Sequence, residues 1–123
     1  MILGLGTDII EIESIRESIE RSKRFVQRVF TDSEINYCEK KPNKYQHYAA
    51  RFAAKEATMK AIKTGWDKGI QWKQIEVINA TDGAPTIKTN GKTQEYLQEK
   101  GICNIQVSLS HSEQYAIAIV CIQ

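Results

Sequence analysis

Glu56 and Lys60 stand four residues apart within an alanine-rich stretch, and Asp8 interrupts an otherwise apolar N-terminal segment. Two carboxylates and a lysine in apolar surroundings form a donor set for a hard divalent cation together with a phosphate. Mg2+ accepts one or two carboxylates and fills its remaining positions with phosphate oxygens and water, while a lysine ammonium adds a compact counter-charge. The plainer alternative for Glu56 and Lys60 is a surface i, i+4 ion pair worth about 0.3–0.5 kcal/mol. A helical wheel argues against it. Ala49, Phe52, Ala53, Ala57 and Met59 share one broad face with Glu56 and Lys60 in its middle, whereas Arg51, Lys55, Thr58 and Ile62 lie opposite. The expectation is that Arg51 and Lys55 are exposed and that Glu56 and Lys60 sit in a confined place. Asp8 alone can be a helix cap or a strand end; beside the other two it becomes a third member of one site.

Two further groupings carry possible chemistry. Arg21, Arg24 and Arg28 share one edge of a helix, with Lys23 nearby and Phe25 turned toward them. Glu17 with Arg21 and Glu20 with Arg24 have i, i+4 spacing and would make this edge an ordinary solvated face. The alternative is a docking edge for an acidic partner, with guanidinium forks for carboxylates and an exposed Phe25 as anchor. Arg28 has no acid three or four residues before it. The second grouping is Ser108-Leu109-Ser110-His111-Ser112, at a strand end leading into a turn. No Gly-x-Ser-x-Gly elbow surrounds these serines, so a serine hydrolase is disfavoured; His111 is either a ligand contact or a plain turn residue. His47 falls near the start of a helix without an evident role.

The elements that must position these residues follow from periodicity. Met1 to Ile9 reads as a strand with Leu3, Leu5, Thr7 and Ile9 on one side and Ile2, Gly4, Gly6 and Asp8 on the other. Its glycines leave room for a helix or a ligand. Residues 13–30 follow a single helical pattern, with Ile12, Ile15, Ile19, Val26 and Phe30 toward the core. Thr31-Asp-Ser-Glu34 has capping-box spacing and starts a short helix to about Glu39. Residues 40–44 form a loop, and a helix spans about 47–63 with Gly65 as its C-cap glycine. Strands at 74–79 and 86–88 join around Asp82-Gly83, a helix covers 93–100 and stops at Gly101, and strands at 105–110 and 115–122 make the last hairpin. The final strand is apolar on both faces, which places it centrally in a sheet or at a subunit contact.

Composition bounds the rest. The 123 residues suffice for one domain, and 17 basic against 15 acidic side chains leave a net charge of +2, too little for a polycation that grips nucleic acid. Three cysteines without Cys-x-x-Cys spacing make a disulfide framework or zinc site improbable. No apolar run reaches the ~20 residues of a membrane span, and the N-terminus lacks a basic leader, so a cytoplasmic protein is expected.

Taken in order, Gly6-Thr7-Asp8-Ile9 with Glu11, Phe30-Thr31 with Glu34 and Tyr37-Cys38, Arg51-Phe52-Ala53-Ala54-Lys55-Glu56-Ala57 with Lys60-Ala61, Gly83-Ala84-Pro85, and Ser108-Leu109-Ser110-His111 resemble the phosphopantetheinyl transferases of the holo-acyl-carrier-protein synthase type. The resemblance runs nearly the whole chain. It implies one α+β domain over residues 1–123, a long helix packed on an antiparallel sheet, assembled as a homotrimer with active sites between protomers. It implies transfer of 4′-phosphopantetheine from coenzyme A to a serine of apo-acyl carrier protein, in support of fatty acid biosynthesis. In its terms Asp8 and Glu56 hold Mg2+, Lys60 contacts phosphate, and Ser110 and His111, with the Gly83–Pro85 turn, bind the nucleotide. Arg21, Arg24, Phe25 and Arg28 become the docking surface for an acidic carrier protein, with Arg16 at its margin. The carrier's serine needs deprotonation, and Glu56, directly or through a metal-bound water, is the expected base. A non-catalytic module that binds acidic proteins would need the arginine edge but not Asp8, Glu56 and Lys60. A metal phosphohydrolase would require more carboxylates or histidine ligands.

Overall fold

A computed structural model describes residues 1–63 and 69–123. The chain runs β1 (Gly4–Glu11), α1 (Ile12–Arg21), α2 (Lys23–Val29), α3 (Asp32–Glu39), α4 (Lys44–Ile62), β2 (Ile75–Asn79), β3 (Pro85–Thr89), α5 (Gly91–Glu99), β4 (Ile105–His111) and β5 (Tyr115–Ile122), with one 3-10 turn at Trp72–Gln74 before β2. β1, β5 and β4 form an antiparallel sheet in the order β1-β5-β4, and β2 pairs with β3 in a separate hairpin. The chain is therefore α+β with a long helix on an antiparallel sheet, and the last strand is central, the first of the two places expected for its doubly apolar sequence.

α4 lies across β1 and β5. Ala118, Val120 and Ile122 of β5 alternate inward onto Ala53, Ala54, Ala57 and Ala61 of the helix, and Ala116 packs in the neighbouring cluster with Ala49. The alanines matter because the backbones approach closely. A Cβ on Gly6 would come within 1.9 Å of the Ala57 carbonyl oxygen, and one on Gly4 within 2.1 Å of that of Ala61. The glycines in the Asp8 face of β1 thus make room for a helix, one of the two occupants expected.

Three local expectations are corrected. The pattern over residues 13–30 is two helices, because Ser22 adopts an extended backbone (φ −151°) and turns the chain between them. α4 begins earlier than expected, and its left-handed cap residue is Lys63 (φ +72°); Gly65 lies outside the described residues. The wheel misplaced α4 most. Arg51, Lys55 and Thr58 are buried like the alanine face, because α3 and β2 cover the side opposite the sheet. Lys55 is fully enclosed with Glu34. The capping box at Thr31 and Glu34 forms as its spacing predicts.

Candidate functional site

The close contact of β1 with α4 sets the first cluster. Asp8 lies two residues beyond Gly6 on the same strand face, so it meets α4 near Glu56 and Lys60. Lys60 donates from Nζ to Asp8 Oδ1 at 3.1 Å and to the Thr7 carbonyl at 3.0 Å. The lysine therefore pairs with the strand aspartate and not with Glu56, which removes the surface i, i+4 pair as an explanation. Lys60 is half exposed, against the confined place the wheel predicts for it, while Asp8 is mostly covered. Glu56 is half-buried and, among the described residues, has neither a hydrogen-bond donor nor an ion-pair partner. Burial, and then the charge of Asp8, hold its carboxyl above the ordinary carboxylate range, with Lys60 pulling the other way.

A half-buried carboxylate without a donor, beside a second carboxylate, is a place where an added positive charge is favourable. Among the described residues no third His, Cys, Asp or Glu joins the pair to complete a protein cage. The set therefore fits a cation that takes two protein carboxylates and fills its other positions from phosphate or water. Mg2+ bound with a substrate phosphate has that requirement, whereas structural Zn2+, with its closed set of four ligands, does not.

A cavity of about 280 Å3 opens between α3, the first turns of α4 and the ends of the two sheets. Ser108 to His111 and Pro85 line it, as do Tyr37, His47, Arg51 and Asn79. Gly83 is not in its wall. It forms the β2–β3 turn with φ +89°, and its carbonyl accepts from Asn79 Nδ2 at 2.9 Å, so it acts on the cavity through Asn79. Arg51 donates from Nη2 to Asn79 Oδ1 at 2.8 Å and lies 4.0 Å from the centre of the Tyr37 ring, while its Nε is buried without a partner among the described residues. His47 meets the Tyr37 ring edge-on, and burial, helped by the charge of Arg51, keeps its imidazole below the ordinary histidine value. A guanidinium in the wall beside strand-end serines suits an anionic group.

Sequence reasoning missed Tyr37, His47, Arg51 and Asn79. Tyr37 and Arg51 stood inside recognised segments, but the wheel sent Arg51 to solvent. Asn79 had no signal, since only the fold of the β2–β3 hairpin brings it to α4.

The third surface is the arginine edge. Arg21, Arg24 and Arg28 are exposed, and among the described residues none pairs with a carboxylate. The i, i+4 pairs of the solvated-face alternative do not form among the described residues: Glu20 is taken by Arg16 and by the Tyr45 hydroxyl, not by Arg24. Arg16 is held between Glu13 and Glu20, which withdraws it from the margin of the docking edge. Phe25 is half-buried rather than a free anchor. Its ring packs 6.1 Å from that of Phe52 and 6.3 Å from that of Phe30, and Phe52 stacks on Trp72 at 5.1 Å.

Within one chain, then, Asp8, Glu56 and Lys60 come together, Ser110, His111 and Pro85 gather in a different cavity, and the arginines form a separate edge. The sheet face away from α4 also carries exposed apolar side chains: Leu5 is 65%, Ile9 60% and Ile119 49% exposed, with Tyr115 beside them.

Comparison with known proteins identifies relatives of the chain. Residues 4–120 match the model of the 4′-phosphopantetheinyl transferase superfamily. The chain is 44% identical to the holo-acyl-carrier-protein synthase of Solibacter usitatus, covering 100% of this chain and 99% of that protein. It is 47% identical to that of Ruminiclostridium cellulolyticum over 96% and 90% of the two chains. Among solved structures, the synthase of Neisseria meningitidis superposes with a TM-score of 0.91 at 30% identity, covering 100% and 99%. That of Bacillus anthracis, in complex with CoA (3′,5′-ADP), superposes with a TM-score of 0.81 at 34% identity, covering 99% and 96%.

Proposed function

Since the chain belongs to the 4′-phosphopantetheinyl transferase superfamily, within its holo-acyl-carrier-protein synthase family, we propose that it transfers 4′-phosphopantetheine from coenzyme A to a serine of apo-acyl carrier protein. The product supplies the carrier thiol on which fatty acid biosynthesis proceeds. One observation carries the reading: Glu56, a half-buried carboxylate without a donor, faces the Asp8–Lys60 pair.

In the reaction the serine Oγ forms a bond to the β-phosphorus of coenzyme A. The bond from that phosphorus to the bridging oxygen breaks, and adenosine 3′,5′-bisphosphate leaves with that oxygen. Asp8 and Glu56 would hold Mg2+, which when bound supplies positive charge against the pyrophosphate oxygens. Lys60, oriented by Asp8 and the Thr7 carbonyl, directs its half-exposed ammonium to a phosphate oxygen, where charge develops as the bond breaks. Glu56 accepts the serine proton; a carboxylate has lone pairs enough to serve both a cation and a hydroxyl. Ser110, His111 and Pro85 form the nucleotide pocket, with Arg51 as its fixed positive group and Gly83 setting the turn that holds Asn79. Arg21, Arg24 and Arg28 receive the acidic carrier protein around the half-buried Phe25.

The reading includes a homotrimer. The apolar sheet face bearing Leu5, Ile9 and Ile119 is covered by further copies, and the nucleotide pocket of one protomer faces the carboxylates of its neighbour. That arrangement is supported by the separation of the two halves of the site within a single chain.

The test is mass spectrometry of apo-acyl carrier protein incubated with coenzyme A, Mg2+ and the enzyme, alongside sedimentation of the enzyme alone. The expected result is a phosphopantetheine adduct that EDTA prevents and a trimeric mass. An unmodified carrier at saturating coenzyme A and Mg2+ overturns the assignment, and a monomer that is fully active overturns the shared site.

A further inference from the structure

Beneath the arginine edge lies a buried ion pair that the transfer chemistry does not use. Lys55 and Glu34 are both fully enclosed. Lys55 Nζ donates to Glu34 Oε1 at 2.8 Å, to the Trp72 carbonyl at 3.0 Å and to the Ile75 carbonyl at 2.5 Å, which uses all three ammonium hydrogens. Glu34 in turn accepts the Thr31 amide on Oε1 and the Val77 amide on Oε2, each at 2.9 Å. Thr31 Oγ1 accepts the Glu34 amide and donates to Glu76 at 2.6 Å. One network thus pins the start of α3 to α4, to β2 and to the 3-10 turn before it.

The docking helix enters this network directly. α2, which carries Arg24, Phe25 and Arg28, leads through Phe30 into Thr31. Phe25 rests on Phe30 and Phe52, Phe52 stacks on Trp72, and Lys55 binds the Trp72 carbonyl and lies 5.8 Å from the centre of the Phe30 ring. A buried ion pair is often no better for stability than an apolar pair of the same volume, and its best-attested use is to fix register. Here the three directional bonds of Lys55 fix where the α2–α3 junction sits on the helix whose next residue is Glu56. We propose that Lys55 and Glu34 are a positioning pair that sets the docking helix α2 against α4, so that a carrier protein held by the arginines presents its serine to Glu56. This rests on the docking role of Arg24 and Arg28.

Steady-state kinetics, with carrier protein and coenzyme A varied separately, test the proposal on Lys55→Met, Thr31→Val, Arg28→Ala and the double variant Lys55→Met/Arg28→Ala. Lys55→Met is expected to raise the carrier KM about tenfold while leaving the coenzyme A KM within about twofold. In the double variant the two effects fall short of their product, because a displaced α2 has already lost the contact of Arg28. Thr31→Val keeps the buried pair and removes only the hydroxyl bonds to Glu34 and Glu76; it shifts the carrier KM in the same direction by less, and it decides the matter if Lys55→Met fails to fold. Both KM values unchanged, both rising together, or effects that multiply in the double variant overturn the positioning role. A raised carrier KM in Arg28→Ala beside unaffected Lys55→Met and Thr31→Val variants overturns it alone, whereas an unchanged carrier KM in Arg28→Ala overturns the docking edge and this proposal with it.

Discussion

Two lysine–carboxylate groupings sit one residue apart on α4 and meet opposite fates. Around Lys55 and Glu34 every ammonium hydrogen has an acceptor, both carboxylate oxygens have donors, and no solvent reaches the pair. Around Glu56 the local bonds stop short: Lys60 serves Asp8, and Glu56 is left with a raised carboxyl and no donor among the described residues. Residue type does not separate the two, since each joins a lysine of the alanine-rich α4 to a carboxylate from another element. Completeness does. A charge grouping satisfied by its own chain is finished as structure, and one left incomplete has capacity for a ligand.

The sharpest way to break that contrast is to neutralise each carboxylate and watch different observables move. Glu56→Gln is expected to lower the transfer rate about 10²–10⁴-fold, the range of a lost proton acceptor, and the cation site is weakened as well. Stability should not fall. A folded-state pKa raised above the unfolded one means that the charged form is disfavoured in the fold, so Glu56 costs stability at pH values above its ordinary range, and the glutamine removes that cost together with the repulsion from Asp8. Thermal melting at neutral pH should show an unchanged or raised Tm; a clearly lowered one would make Glu56 a structural residue. Glu34→Ala should do the reverse, losing about 3–5 kcal/mol in urea unfolding because it strands the Lys55 charge and two backbone amides. A loss under about 1 kcal/mol would show that this grouping is not the finished one.

The close approach that creates the site is the next point of attack. Gly6→Ala drives a methyl into the Ala57 carbonyl and must push β1 away from α4, at an expected cost of about 1–3 kcal/mol. The displacement also carries Asp8 away from Lys60, so the Mg2+ concentration for half-maximal rate should rise along with the loss of stability. If Gly6→Ala keeps both its Tm and its Mg2+ requirement, the glycine is not what positions Asp8.

Much of the fold and part of the site were legible in the sequence, for identifiable reasons. Alternation along β1 told which side Asp8 shares with the glycines, the capping box located α3, and the doubly apolar β5 announced its central place. These are local patterns with a single physical reading. Lys55 and Arg51 were misread because a helix wheel assumes one buried face, whereas α4 is enclosed by the sheet on one side and by α3 and β2 on the other. Nothing in the spacing of Glu34 and Lys55, 21 positions apart, indicates that they meet. Nor could i, i+4 arithmetic foresee that Glu20 would prefer Arg16 and Tyr45 to Arg24, since side-chain choice among equivalent neighbours depends on where α4 presents its tyrosine.

The arginine edge stands outside both groupings on α4, and its expected effects are the smallest. Arg21, Arg24 and Arg28 are solvent-exposed, so each should contribute about 0.2–1 kcal/mol to carrier binding, read as a rise of up to about fivefold in the carrier KM of the single alanine variants. Exposed charges are screened within about 8–10 Å at moderate ionic strength, whereas the buried Arg51 in the nucleotide pocket is shielded from salt. Adding salt should therefore raise the carrier KM more steeply than the coenzyme A KM, and the difference should shrink in Arg28→Ala because one screened contact is already gone. Parallel salt curves for the two substrates, unchanged by Arg28→Ala, would remove the docking role from this edge and leave its unpaired arginines as plain solvated surface.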